Sequence, residues 1–387
     1  MKILVLTFYY EPDLCAGSFR TTAFINALKT KLPPGATVDI LTTMPNRYHL
    51  FKKDARSFER IGNICVRRVR LPEHKSGFFD QAKAFGYYFF STLKWIHSRQ
   101  YDVVYATSSR LFTAFLGAVA ARKNRAYLYL DMRDIFADTM KSLLTSKKWL
   151  LLYPFLHVIE KFTICSANKV NLVSLGFDTY YKQVCRDKRV TNFTNGIDDD
   201  FLNISYEKER KTNSGIITYA GNIGKGQGLE KIIPTIAERL GDSCEFRIIG
   251  DGGMRQVLEE ALKQKNIKNV KLINPVGRSE LISLYRESDY LLLHLNNLPA
   301  FDKVLPSKIF EYAATRKPIL AGLNGYSRKF IQNNLEDVMI FDPCSPDDFL
   351  NKFSTFKHIH SSREEFIRTF SRRKIMDRMV NDFLFFR

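Results

Sequence analysis

No run of about eighteen apolar residues occurs anywhere in this 387-residue chain, which excludes a helix that crosses a membrane. Paired cysteines are missing as well. Cys15, Cys65, Cys165, Cys185, Cys244 and Cys344 are scattered without a CxxC motif, so their spacing supports neither a zinc site nor a disulfide framework, and reduced cytosolic thiols are expected. The opening MKILVLTFYYEP lacks the apolar length and small-residue cleavage site of a secretory leader and reads as a first strand. Without such a leader, the sequons at Asn192-Phe193-Thr194 and Asn203-Ile204-Ser205 read as chance matches. Gly224-Lys225-Gly226-Gln227-Gly228 has the glycines of a phosphate loop but not the GxxxxGK[ST] spacing, so nucleotide hydrolysis of that type is excluded. Internal repeats and low-complexity segments are also absent.

What is present is globular: 45% hydrophobic and 26% charged residues, over a length that fits two domains. The net charge of +19 is unevenly spread. Residues 1–190 hold 30 Lys and Arg against 14 Asp and Glu, whereas residues 191–387 hold 29 against 26. A basic first half points to an anionic partner, be it a membrane surface, nucleic acid or a phosphorylated substrate, or else to cations that merely solvate the surface. No nucleic-acid-binding motif accompanies the charge, so that partner is not expected.

Short apolar runs alternate with helical patterns throughout. In the first half Ile3–Phe8, Val38–Thr42, Val66–Val69, Val103–Thr107 and Tyr127–Met132 read as strands, with helices at Ser18–Leu28, Asp80–Ser98 and Leu111–Arg122. In the second half strands fall at Ile216–Ala220, Cys244–Ile249, Val270–Ile273, Tyr290–Leu295, Ile319–Ala321 and Met339–Phe341. Helices at Leu229–Leu240, Arg255–Lys265 and Arg278–Ser288 separate them. Such alternation predicts βαβ units and parallel sheets. The polar segment Ser174–Asn213 reads as the inter-domain connection, and Ser361–Leu384 as a helical tail that packs on something.

The most informative stretch is LPSKIFEYAATRKPILAGLNG, Leu305 to Gly325. Glu311 sits in a short helix entered through a Pro-Ser-Lys turn, and the buried strand that follows ends in glycine. A helix start offers N–H groups to phosphate, a carboxylate one turn in accepts both hydroxyls of a ribose, and glycines let backbone approach a ligand. The pattern is that of a nucleotide-sugar site. A first-turn glutamate that only complements the helix dipole, worth about 0.3–1 kcal/mol, is the plainer alternative.

Four segments in order, YAGNIGKGQGLEKII, FRIIGDGGMRQVLEE, PVGRSELISLYRESDYLLLHL and LPSKIFEYAATRKPILAG, resemble the donor-binding domain of family 4 glycosyltransferases. The opening FYYEPDLCAGSFRT and the DMRDIFAD segment look most like the branch that builds bacterial O-antigen and capsular polysaccharides. The resemblance implies the GT-B fold, α/β, with two Rossmann-like doubly wound parallel-sheet domains facing a cleft. It implies an acceptor-binding domain over 1–190, a donor-binding domain over 191–364, and a C-terminal helix at about 365–387 packing back on the first. It further implies a retaining, metal-independent enzyme without a cofactor, which transfers a sugar, an N-acetylated hexosamine or a related one, from a UDP-linked donor to a lipid-linked saccharide. Localisation would be cytoplasmic, at the inner face of the cell membrane. A GT-B nucleotide-sugar 2-epimerase is the alternative.

The departures from the family pattern carry information. Of the two glutamates usual in the family, Glu311 fills the second place and Lys303 stands in the first. Where the family has Arg and Lys for the diphosphate, Asn222 and Gln227 align. A buried diphosphate without cations is costly, so Lys225, Lys303 and Lys308 are the expected substitutes. Arg133, before Asp134, stands where a histidine is common; the two would orient the acceptor, or form a structural pair.

Gly17 is placed where the family's glycine loop approaches the diphosphate, with Arg20 within reach of an anion; a plain strand-to-helix turn is the other reading. Gly250 and Gly252 would shape the floor of the base pocket, and Val276 and Arg278 would line the base edge. Asp198-Asp199-Asp200 reads as a solvated turn rather than a metal site. Ser146–Phe162, SKKWLLLYPFLHVIEKF, suits either an interfacial helix in anionic headgroups or a core helix interrupted by Pro154.

Overall fold

The computed structural model describes residues 1–46, 54–72, 78–108, 111–135, 137–138, 152–186, 188–202, 204, 215–358 and 362–385, without the side chains of 78–82. The chain divides into two compact units, Met1–Asn195 with Arg373–Arg387, and Gly196–Arg372.

The first unit holds strands β1 (Lys2–Leu6), β2 (Thr37–Thr43), β3 (Phe58–Ile61), β4 (Ile64–Val69), β5 (Val103–Thr107), β6 (Tyr127–Met132), β7 (Lys169–Leu172) and β8 (Arg189–Thr191). Its helices include α1 (Ala16–Lys31), α2 (Phe78–His97), α3 (Leu111–Asn124), α4 (Tyr153–Ser166) and α5 (Asp178–Val184). The sheet runs β3-β4-β2-β1-β5-β6-β7-β8, parallel except for the β3–β4 pair. Ile3 stands opposite Val38 on one side and Val103 on the other. Ile3, Leu4, Val5 and Leu6 are all fully buried, as the centre of a parallel sheet covered on both faces requires. Pro154 does not interrupt α4; it lies in the helix's first turn, where a missing N–H does no harm.

The second unit contains β9 (Gly215–Ala220), β10 (Cys244–Ile249), β11 (Val270–Ile273), β12 (Tyr290–His294), β13 (Ile319–Gly322) and β14 (Val338–Phe341). Between them lie α6 (Leu229–Leu240), α7 (Arg255–Gln264), α8 (Arg278–Glu287), α9 (Lys308–Ala314), α10 (Gly325–Asn334) and α11 (Pro346–Thr355). The strand order β11-β10-β9-β12-β13-β14, all parallel, is that of a doubly wound sheet. One core packs Ala220, Leu293 and Ala321 against Phe310, Tyr312 and Tyr285, and a second fills the opposite face around Ile232, Ile236, Phe246 and Leu320.

The connection expected over Ser174–Asn213 carries more order than a polar linker. Leu175–Phe177 is a 3-10 turn, α5 and β8 follow, and a further 3-10 turn spans Asp199–Phe201. The tail likewise differs from a single helix. α12 (Glu364–Thr369) ends before Ser371, and α13 (Arg372–Leu384) follows. Phe366 and Phe370 pack on Phe310 and Phe330 inside the second unit. Ile197 N then donates to Phe370 O at 2.8 Å and Arg372 N to Ile197 O at 2.9 Å, which breaks the helical ladder. Only beyond that break does the chain rejoin the first unit, where Phe383 packs edge-on against Phe24, Tyr105 and Tyr129.

Candidate active site

In a doubly wound sheet the loops at the carboxyl ends of the strands converge where strand order reverses. In the second unit that point lies between β9 and β12. The loop after β9, Gly221–Gly228, closes on itself: Asn222 Nδ2 donates to Gln227 Oε1 at 2.8 Å, and Tyr219 OH donates to Asn222 O at 2.6 Å. It is also tied to the end of β12, since Asn296 N donates to Gly226 O at 2.8 Å and Asn296 Nδ2 to Lys225 O at 2.7 Å. Asn222 and Gln227 therefore shape the loop, and Lys225 is left with its side chain exposed.

His294, at the end of β12, locks the same loop. Cys344 N donates to its Nε2 at 2.9 Å, so the ring proton sits on Nδ1, which meets Gln227 O at 2.6 Å. Burial pushes the imidazole down to about 4, with a smaller push from Lys231, against the Gln227 hydrogen bond. Gly250 (φ +142°) and Gly252 (φ +154°) press on this loop from β10. A Cβ on Gly250 would lie 1.8 Å from Gly221 O, and one on Gly252 2.5 Å from Ile223 O. Both glycines set the close approach of two loops, a packing role that sequence alone does not reveal.

Glu311 is 3% exposed on α9, a helix of only seven residues whose N-cap Ser307 makes no side-chain capping bond. Lys308 Nζ donates to its Oε2 at 2.7 Å and also reaches Tyr285 OH at 3.2 Å. The Lys308 side chain is turned one helical step onto Glu311, where opposite charges at i, i+3 attract. Arg278 Nη1 stands 3.8 Å from Glu311 Oε1, and its other nitrogens pair with Asp198 at 2.7 Å and Asp200 at 3.2 Å. Burial works against the Arg278 charge, but Glu311, Asp198 and Asp200 together raise its pKa above the ordinary value.

Asp198 is not the solvated residue expected of that aspartate run. Its side chain is mostly buried between Arg278 and Arg372. Val276 lies half-buried beside the core, and Lys303 ends the 3-10 turn Pro299–Lys303. Glu311, Lys308, Arg278 and Asp198 thus form one charged cluster, and Asn222, Gln227, Gly250 and Gly252 form a neighbouring wall. Tyr312 joins the two, because Ala220 N donates to its hydroxyl at 3.0 Å.

In the first unit Gly17 lies in the first turn of α1, which has no acidic residue there and no side-chain cap at Cys15. A Cβ on Gly17 would sit 3.0 Å from Arg133 Nη1. Arg133 Nη1 and Ser18 Oγ, both buried, have no hydrogen-bond partner among the described residues. Gly17 and Arg133 therefore meet at one helix start, while Asp134 is exposed.

Arg20 takes no part in that corner. It is fully buried, gives Nε and Nη2 to Asp131 at 2.7 and 2.8 Å, and reaches the carbonyls of Thr194 and Phe193 at 2.7 and 2.8 Å. The expectation that Arg20 reaches an anionic ligand is corrected: its anion is Asp131. Burial opposes charge on Asp131, yet Arg20, with Arg133 and Asn171, holds its carboxyl below the usual carboxylate range.

Residues 200–372 match the family described as Glycosyl transferases group 1. A protein named for colanic acid biosynthesis, the glycosyl transferase WcaI of Escherichia coli (strain K12), is 32% identical over 126 residues, 32% of this chain and 30% of that one. The chain thus spans under a third of WcaI. The 2-deoxystreptamine N-acetyl-D-glucosaminyltransferase of Niallia circulans is 24% identical over 315 residues, 75% of this chain and 76% of that one. Among solved structures, sucrose-phosphate synthase from Thermosynechococcus elongatus superimposes with a TM-score of 0.71 at 12% identity, over 99% of this chain and 98% of that one. Anabaena Alr3699/HepE in complex with UDP-glucose does so with a TM-score of 0.69 at 14% identity, over 99% of each chain. These likenesses show the fold to be GT-B, with two parallel-sheet α/β units.

Proposed function

We propose that this chain, whose residues 200–372 match the group 1 glycosyl transferases, is a retaining enzyme of bacterial surface polysaccharide synthesis. It moves a sugar, an N-acetylated hexosamine or a related one, from a UDP-linked donor to a lipid-linked saccharide. The observation that carries this reading is Glu311, a buried carboxylate with Lys308 on one oxygen and Arg278 near the other. Such a carboxylate can accept hydrogen bonds from the ribose hydroxyls. The names of WcaI, of the N-acetylglucosaminyltransferase and of the HepE complex with UDP-glucose support the choices of pathway, sugar and nucleotide.

The chemical demand is to stabilise a departing diphosphate. Cations and fixed N–H groups aimed at developing negative charge supply several kcal/mol of such stabilisation. With Lys308 held by Glu311, Lys225 on the glycine loop and Lys303 are the cations assigned to this task in the second unit. Within the first unit, Gly17 and Arg133 lie together at the start of α1. No metal and no cofactor is assigned a step. A screen of nucleotide sugars by thermal shift tests the donor class, because a ligand that binds only the folded state raises its melting temperature. UDP-sugars are expected to stabilise the protein and other nucleotides not. Epimer formation from UDP-N-acetylhexosamine alone would contradict transfer.

The proposal includes contact with an anionic membrane surface at the cytoplasmic face. Residues 146–151 of the segment Ser146–Phe162 lie outside the described residues. Within α4, Ile159, Glu160, Thr163 and Ile164 are buried while Phe155 and Val158 are exposed by 60% and 63%, as is Leu152 just before the helix, by 41%. On α2, Tyr87 and Phe90 are exposed by 58% and 70%, and exposed Lys83 and Lys94 lie one turn to either side. Aromatic and aliphatic side chains framed by lysines suit the headgroup region of anionic lipid.

A further inference from the structure

Asp198 precedes the 3-10 turn Asp199–Phe201 in the N-cap position, yet its side chain makes no capping bond. Its oxygens go elsewhere. Oδ2 accepts from Arg278 Nη2 at 2.7 Å, and Oδ1 contacts Arg372 Nε. Arg372 lies beside Gly196 in the paired segment where Ile197 bridges Ser371, and a Cβ on Gly196 would lie 2.7 Å from Arg372 Cα. Asp198 is therefore fixed by backbone on one side and grips the Arg278 guanidinium on the other.

Arg278 needs such a grip. It opens α8, where the helix dipole presents its positive end and disfavours a cation. Asp198 and Asp200 offset that, and the guanidinium lies over the Phe201 ring, 4.8 Å from its centre. On Glu311, Oε2 is already taken by Lys308 at 2.7 Å, whereas Oε1 faces Arg278 at 3.8 Å, beyond hydrogen-bond length.

We infer that Asp198 is a positioning residue for nucleotide recognition: it holds Arg278 back from Glu311, so that Oε1 stays open to a ribose hydroxyl. The inference rests on the reading of Glu311 as the ribose clamp. Without the Asp198 charge, Arg278 closes the remaining gap onto Glu311 and competes with the sugar for the same oxygen. Three carboxylates and three cations, Asp198, Asp200 and Glu311 with Arg278, Arg372 and Lys308, make the cluster neutral. Removing one charge therefore redistributes the others.

Calorimetric titration of UDP and 2′,3′-dideoxy-UDP tests this on the wild type, Asp198→Asn, Glu311→Gln and the double variant. Asp198→Asn is expected to weaken UDP about fivefold to tenfold, to leave dideoxy-UDP within about twofold, and to add little to Glu311→Gln. Arg278→Lys, a second variant that keeps the charge but cannot bridge both acids, is expected to show the same hydroxyl-dependent loss. Equal weakening of both nucleotides by Asp198→Asn, or losses that simply multiply in the double variant, would mark Asp198 as a structural pin and overturn the inference. So would unchanged UDP affinity in Asp198→Asn alongside a weakened Glu311→Gln. If Glu311→Gln itself binds UDP like the wild type, the ribose assignment fails first, and the inference with it.

Discussion

Arg20 and Asp131, 111 residues apart in sequence, form a doubly hydrogen-bonded ion pair with both side chains fully buried. Tyr105 OH and Asn171 Nδ2 also donate to Asp131, at 3.0 and 2.7 Å. The pair joins α1 to β6, one helical turn from Gly17. Removing one partner strands the other charge, so Arg20→Ala is expected to destabilise the protein by about 3–5 kcal/mol. Urea denaturation followed by circular dichroism measures this; a loss below about 1 kcal/mol would show that the pair is dispensable.

The Asp131 carboxyl is held below its usual range in the folded state, so its contribution to stability is present above the unfolded pKa and is lost as pH falls through the folded one. His294 behaves in a related way from the basic side. The unfolded chain takes up a proton near pH 6.5, whereas the folded imidazole resists until about 4. Stability from this residue is therefore full above about pH 6.5 and falls toward pH 4, by on the order of 3 kcal/mol. Urea midpoints for wild type and His294→Gln between pH 7.5 and 4.5 should converge as the pH drops. Parallel curves would contradict the buried neutral tautomer.

Gly250 and Gly253 lie three residues apart and should respond unequally to alanine. At Gly250 the φ of +142° and the collision with Gly221 O combine, while among the described residues nothing lies within 4 Å of a Cβ on Gly253. Backbone strain alone costs about 1–3 kcal/mol. Gly250→Ala is expected to lower the melting temperature clearly and to weaken donor binding by shifting the Gly221–Gly228 loop, with Gly253→Ala close to wild type. Equal melting temperatures would show that the loops part without difficulty.

Phe155→Glu and Phe90→Glu change exposed side chains and should leave the circular dichroism spectrum unaltered. Both are expected to reduce sedimentation with vesicles containing phosphatidylglycerol at least about fivefold, and binding should fall with added salt. Retained vesicle binding in the double variant would rule out this surface as the membrane contact.

The sheets were legible because their central strands are continuous apolar runs bounded by glycine or polar residues, as in Ile319–Gly322 and Val103–Thr107. Three strands of the first sheet were not. The edge strands Phe58–Ile61 and Arg189–Thr191 and the inner strand Lys169–Leu172 are short and broken by charged or polar residues, and carry no period that distinguishes them from loop. Glu311 could be singled out because its signal is local, within one turn-helix-strand stretch. Arg20 and Asp198 could not be placed, because each takes its meaning from a partner brought near by the fold: Asp131 for one, Arg278 and Arg372 for the other. The break at Ser371 was hidden for the same reason. The apolar spacing of the tail is continuous, and only the bridge to Ile197 divides it.

Titration of UDP into wild-type protein and Glu311→Ala is the most direct measurement of the central claim. Loss of charge-assisted hydrogen bonds to the ribose is expected to weaken binding about tenfold to a hundredfold. Equal affinities for the two proteins would contradict the account.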